Sequence, residues 1–122
     1  MNNRVDQQKL DTQFPLETPQ GVAALLQNYR YVKSAALDRS DFDAINILVD
    51  FERVFDKVTL TKRQKEAIRL VYEEKLTQQE AGEVLGITQQ AVGQLLQAVA
   101  RKISEEYEKD YLRTKGGIKN VG

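Results

Sequence analysis

The sequence predicts an all-α protein, and three observations carry that reading. Apolar residues recur at three- and four-residue steps through most of residues 19–111, which is the period of one helix face. Thr61 with Gln64, and Thr77 with Glu80, each stand at the head of such a stretch. That spacing lets the two side chains of a pair satisfy each other's free backbone N–H groups at a helix start. No stretch alternates apolar and polar residues as a half-buried strand does.

Taken in order, residues 1–17 are polar and aperiodic and contain Pro15, so they are expected to form a flexible arm. Thr18-Pro19 reads as an N-cap followed by proline at the first helical position. Val22, Leu25, Leu26, Tyr29 and Val32 then predict a helix over 19–37. Ser40 with Asp43 is expected to open the next helix, over 41–57, where Phe42, Ile45, Leu48, Val49, Phe51 and Phe55 leave apolar residues on more than one side. Such a helix needs cover from its neighbour or from a second subunit. Thr61 and Gln64 start a third helix, expected over 60–75, with Ala67, Ile68, Val71 and Tyr72 inward.

The segment 77–103 organises the rest. After the Thr77–Glu80 pair, Ala81, Val84 and Leu85 are expected on one face, and Gly86 supplies a left-handed residue to end the helix. Ile87 plugs the junction and Thr88 caps a further helix. That helix carries Val92, Leu95, Leu96, Val99 and Ile103 on one side and Gln90, Gln94, Gln97 and Arg101 on the other. A short helix, a glycine turn and a second helix with a polar face describe a helix-turn-helix. Tyr107 and Tyr111 extend the pattern, and Gly116-Gly117 is expected to end it. The domain reading is an arm over 1–17 and an N-terminal helical segment over 18–58 for oligomerisation or partner contact. A helix-turn-helix DNA-binding domain over 59–113 and a disordered tail over 114–122 complete it.

Composition narrows the function. Cysteine and histidine are absent, which removes thiolate chemistry, the commonest general base and the commonest metal ligands. No phosphate-binding loop and no paired nucleophile and base stand in the chain, so no catalytic residue, metal or cofactor is expected. No apolar run is long enough to span a membrane. The eighteen basic and eighteen acidic residues cancel. Residues 1–58 hold seven basic against nine acidic and residues 59–122 eleven against nine. Phosphate neutralisation dominates DNA affinity, so a single copy is expected to bind DNA weakly.

Residues 60–103 resemble region four of bacterial sigma factors, the C-terminal DNA-binding region. The resemblance rests on Leu60-Thr61, Arg63-Gln64, Ile68, Leu70 and Tyr72, on Leu76-Thr77-Gln-Gln-Glu80-Ala81, and on Leu85-Gly86-Ile87-Thr88. Val92, Leu95 and Arg101-Lys102-Ile103 continue it. It implies a trihelical helix-turn-helix behind the N-terminal helical segment. Nothing resembles the region that binds and melts the −10 element, so the chain does not look like a complete sigma factor. Where the family places arginines and acidic residues to read the −35 element, this chain has Gln89, Gln90, Ala91, Gly93 and Gln94. Small phage-encoded transcription regulators are similar to this arrangement.

The expected base-reading residues are therefore Gln89, Gln90, Gly93, Gln94 and Gln97, since a glutamine amide pairs bidentately with adenine in the major groove. Gly93 suits either a close approach to DNA or close packing against another helix. Lys75, Thr77, Thr88, Arg101, Lys102 and Arg63 are the expected phosphate contacts, with Lys62 and Lys65 behind them. The leading expectation is a sequence-specific DNA-binding transcription regulator of phage or prophage type. Its expected partners are double-stranded DNA, a second copy or higher homo-oligomer, and RNA polymerase as sigma region four suggests. Its expected place is the cytoplasm of a bacterial cell or infected host. A DNA-recognition small subunit of a phage terminase and a trihelical protein-interaction module are the alternatives.

Overall fold

The structure is a computed structural model that describes residues 15–121, and side chains through residue 110. The arm expected over 1–17 lies outside the described residues up to position 14. Residues 15–18 do not behave as a free arm: they form a turn in which Thr18 N–H donates to the Pro15 carbonyl (3.0 Å). Leu16, within this turn, is buried as part of the hydrophobic cluster.

Helix α1, Pro19–Asp38, begins where Thr18 Oγ1 accepts from Gly21 N–H at 3.1 Å. Proline sits at its first position, where no N–H is required. Helix α2, Phe42–Lys57, is capped by Asp41, whose carboxylate accepts from Ala44 N–H (3.1 Å). The expected cap, Ser40, instead takes a left-handed conformation (φ 52°) in the turn that ends α1. The shift is one residue, because Asp41 N–H is already committed to the Ala36 carbonyl in closing that turn. Between α1 and α2, Tyr29 lies 6.1 Å from Phe51, centroid to centroid, and Lys33 bonds Glu52 at 3.1 Å.

Helix α3 spans Lys62–Ile68 and starts with the expected Thr61–Gln64 capping box. It does not continue regularly to residue 75. Arg69–Glu73 form one wider, π-helical turn, in which Glu74 N–H reaches back to the Arg69 carbonyl (2.9 Å). An extra residue in a turn changes the rotation between successive side chains. Leu70 enters the core as a result, while Val71 and Tyr72 are only half-buried.

Helix α4, Gln78–Leu85, carries the second capping box, Thr77–Glu80, and ends at Gly86 with φ 72°. Helix α5, Gln89–Val121, follows after Thr88 Oγ1 accepts from Ala91 N–H (3.0 Å). Its backbone stays helical through Gly116 and Gly117, which were expected to stop it and to open a disordered tail. Glycine is a poor helix former but not a prohibited one.

Among the described residues one hydrophobic cluster joins the five α-helices, with Val22 and Leu25 of α1, Leu48 and Val54 of α2, Ala67 of α3, Ala81 of α4 and Val92, Val99 and Ile103 of α5 in it. Helix α5 is its spine, packed on α1, α2, α3 and α4. Among the described residues no helix is long and apolar enough to cross a membrane.

Beyond Ile103 a polar clamp holds α5 to α2. Tyr107 O–H donates to Asp50 (3.0 Å), and Arg53 and Lys57 both bond Asp110 at 3.2 Å. Burial, followed by the Asp50 charge, pushes the Tyr107 hydroxyl well above its ordinary value. The Lys57 hydrogen bond leads in holding the Asp110 carboxyl below its ordinary 3.8. A carboxylate depressed on folding contributes stability above its unfolded pKa and loses it as pH falls through the folded value. Replacing Asp110 with asparagine is therefore expected to destabilise the protein at neutral pH and to make no difference well below pH 3.8, as read from urea midpoints across pH.

Candidate nucleic-acid interface

The turn between α4 and α5 is built by two glycines with different tasks. Gly86 takes the left-handed conformation, and both its N–H and that of Ile87 return to the Gly82 carbonyl, the latter at 2.9 Å. Gly82 lets the turn lie directly on α4: a Cβ there would stand 2.6 Å from the Ile87 carbonyl oxygen. This contact also corrects the expected inner face of α4. Ala81 and Gly82 are buried and Leu85 half-buried, so Val84 points outward and is 63% exposed.

With Val92, Leu96, Val99 and Ile103 fully or nearly buried, the opposite side of α5 is set by rotation alone. Gln90, Gln94, Gln97 and Arg101 lie along it, all exposed. The stripe covers roughly 16 Å at 1.5 Å per residue. That is comparable with the major-groove width of about 12 Å. Gln89 is exposed in the first turn but stands about 100° round the helix from Gln90. Gly93 is half-buried beside α4, where a Cβ would meet Gln78 Oε1 at 3.1 Å. Both of its sequence readings therefore have a physical basis, a helix neighbour on one side and the stripe on the other.

The expected phosphate contacts separate into two groups. Thr77 and Thr88 are exposed at helix starts, each with its hydroxyl oxygen accepting a cap bond. Arg101 is exposed on the stripe. The other three are engaged within the fold. Lys102 Nζ donates to the Thr59 carbonyl and to Gln64 Oε1, both at 2.9 Å. Arg63 donates to the Leu85 carbonyl (2.9 Å), an unpaired acceptor at the end of α4. Lys75, at φ 62°, reaches the Gln27 carbonyl at 3.3 Å. Lys102 ties α5 to α3, Arg63 ties α3 to the end of α4, and Lys75 ties the loop before α4 to α1.

The residues at 58–105 match the family described as sigma-70, region 4. These residues form a sigma region-four-like, DNA-binding-type helix-turn-helix. The match takes in α3, its π-helical turn, α4 and the first half of α5, and so includes both capping boxes, Gly86 and the glutamine stripe. No curated protein sequence and no solved structure matches the chain.

Four contributors around this site are not marked by local sequence. The neighbour of Gly82 is the backbone of a turn five residues on. Gln64 reads as a cap, but its Oε1 serves both Thr61 N–H and Lys102. Gln20 and Gln78, from α1 and α4, flank the stripe in a cleft with Gln97 and Arg101. Only the helical register of Gln78 could have suggested its place; nothing local marks Gln20.

Proposed function

We propose that the chain is a sequence-specific DNA-binding transcription regulator that reads the major groove with Gln90 and Gln94, assisted by Gln97. The observation that carries this reading is the exposed amide stripe on the face of α5 turned away from the core, at the start of the second helix of a helix-turn-helix. Helices so placed present their N-terminal residues to base edges, and amides offer both a donor and an acceptor to adenine.

Arg101 supplies the charge on this face, while Lys102, Arg63 and Lys75 keep their charges but direct their N–H groups to acceptors within the fold. Self-association would double the phosphate contacts. On α2, Phe42 is 72% and Val49 58% exposed, on the side away from the core. These two residues support a homodimer or higher oligomer as the DNA-bound form. A phage or prophage origin, RNA polymerase as a second partner and a cytoplasmic setting all belong to the same proposal. The zero net charge also favours one competing reading, a trihelical protein-interaction module without DNA binding.

Selection from a random duplex pool separates the two, since the module enriches nothing. On the selected site, alanine at both Gln90 and Gln94 is expected to cost about 1–3 kcal/mol per lost bidentate contact. Binding to random duplex is expected to hold, because phosphates supply that term. Melting temperature should be unmoved, as neither side chain is buried. Full retention of cognate-over-random preference in the double variant would remove this face as the reader.

A further inference from the structure

Beside the glutamine stripe, α1 closes one wall of a cleft of about 550 Å³. Gln20 and Pro19 from the first turn of α1 face Gln78 of α4 and Gly93, Gln97 and Arg101 of α5 across it. Three carboxamides, one guanidinium and Tyr72 are its polar-bearing side chains, and no carboxylate lines it. In a chain with as many acids as bases that is a local departure. The larger groove on the other side of α1 is lined by Glu52, Asp56 and Glu73 as well as by cations.

We propose that this cleft seats a phosphodiester of the bound duplex, so that α1 is part of the DNA interface and Gln20 is a phosphate-contacting residue. The inference rests on the DNA-binding reading above and extends it outside the region-four-like unit, to a helix that precedes residue 58. Carboxamide N–H groups and guanidinium are both common phosphate donors. The cleft shares Gln97 and Arg101 with the stripe. Arg101 stands two turns along α5 from Gln94, roughly 10 Å away. That is of the same order as the major-groove depth of about 8.5 Å.

Gly93 supports the same assignment. Glycine is the poorest helix former after proline, yet it stands in the second turn of α5, on the cleft wall. A Cβ would narrow the cleft and press on Gln78 Oε1 at 3.1 Å. One charged group among otherwise neutral donors suits a phosphate already held by neighbouring contacts better than a free anion.

The test uses the full chain, a duplex selected from a random pool and a random-sequence duplex, each titrated across salt. Gln20→Ala is expected to weaken both duplexes by about tenfold, as for one hydrogen bond to a charged group. The ratio between duplexes should hold. The salt slope should hold too, because a neutral amide releases no counterion. Gln20→Arg should tighten both and steepen the slope by about one, whereas Arg101→Ala should flatten it by about one. Gln20 is exposed, so all variants should melt with the wild type. Gln20→Ala and Gln20→Arg binding both duplexes like wild type, while Arg101→Ala binds more weakly, would overturn the cleft assignment alone. Inorganic phosphate shifting the Gln20 amide resonance without DNA would also overturn it, in favour of a small-anion site. Wild-type protein binding no duplex at low salt would overturn the regulator reading and this one together.

Discussion

Alanine at Leu25 is expected to lower the unfolding free energy by about 3 kcal/mol, the middle of the range for emptying a packed leucine site. Leu25 is fully buried in the cluster that α1 shares with α5. The substitution therefore bears on the helix-turn-helix even though it lies outside residues 58–105. A single cooperative urea transition with a lowered midpoint and an unchanged slope is the expected record. Two separated transitions, with the later one unaffected, would show that residues 58–105 fold without α1. The same variant should lose DNA affinity only in proportion to its unfolded fraction, because Leu25 is nowhere at the surface.

The second large effect is expected at Gly82. A methyl group there meets backbone atoms, the Ile87 carbonyl oxygen at 2.6 Å and Thr88 at 3.3 Å, rather than the end of a mobile side chain. Backbone atoms in a turn closed by Gly86 cannot step aside singly, so the turn and the start of α5 must move together. Gly82→Ala is expected to cost about 2–3 kcal/mol, the upper part of the range for overpacking. It should also abolish preference among duplexes, since Gln90 and Gln94 sit just after the displaced turn. Gly86→Ala makes the useful contrast. Nothing lies within 4 Å of a Cβ there, so only the left-handed φ of 72° is penalised, at about 1–2 kcal/mol. Reading geometry should survive. Equal loss of sequence preference in both variants would refute the distinction.

These two glycines also show what a sequence makes readable. Gly86 was legible because its task is local: a left-handed residue is needed wherever a helix ends tightly, and capping boxes on Thr61 and Thr77 are local in the same way. The core positions of α5 followed from period alone, and the polar face opposite them came with it. Gly82 was not legible, because its neighbour is defined only after the turn has folded. The same holds for the cations. Lys102, Arg63 and Lys75 each donate to a carbonyl at least 22 residues away, and no local pattern separates such a side chain from one waiting for a phosphate. The widened turn at Arg69–Glu73 escaped for a related reason. Its residues suit a regular helix, and the extra residue is absorbed in returning Leu76 N–H to the Leu70 carbonyl (3.0 Å).

The packing of α1 on α5 has a consequence for the order in which the chain is made. Val22 and Leu25 leave the ribosome early, but the α5 members of the same cluster, such as Leu96 and Val99, are about 70 positions later. At synthesis rates of about 5–20 residues per second, that leaves an interval on the order of several seconds to roughly a quarter of a minute. For that time α1 and α2 exist as a nascent apolar hairpin with its main partner unmade. Helices α3, α4 and the first half of α5 then arrive as neighbours in sequence and meet through short loops, which favours rapid closure. The last event is the docking of the early hairpin onto the late spine. Chaperone engagement and proteolytic loss during synthesis should therefore fall on residues 19–57, ahead of the region-four-like unit.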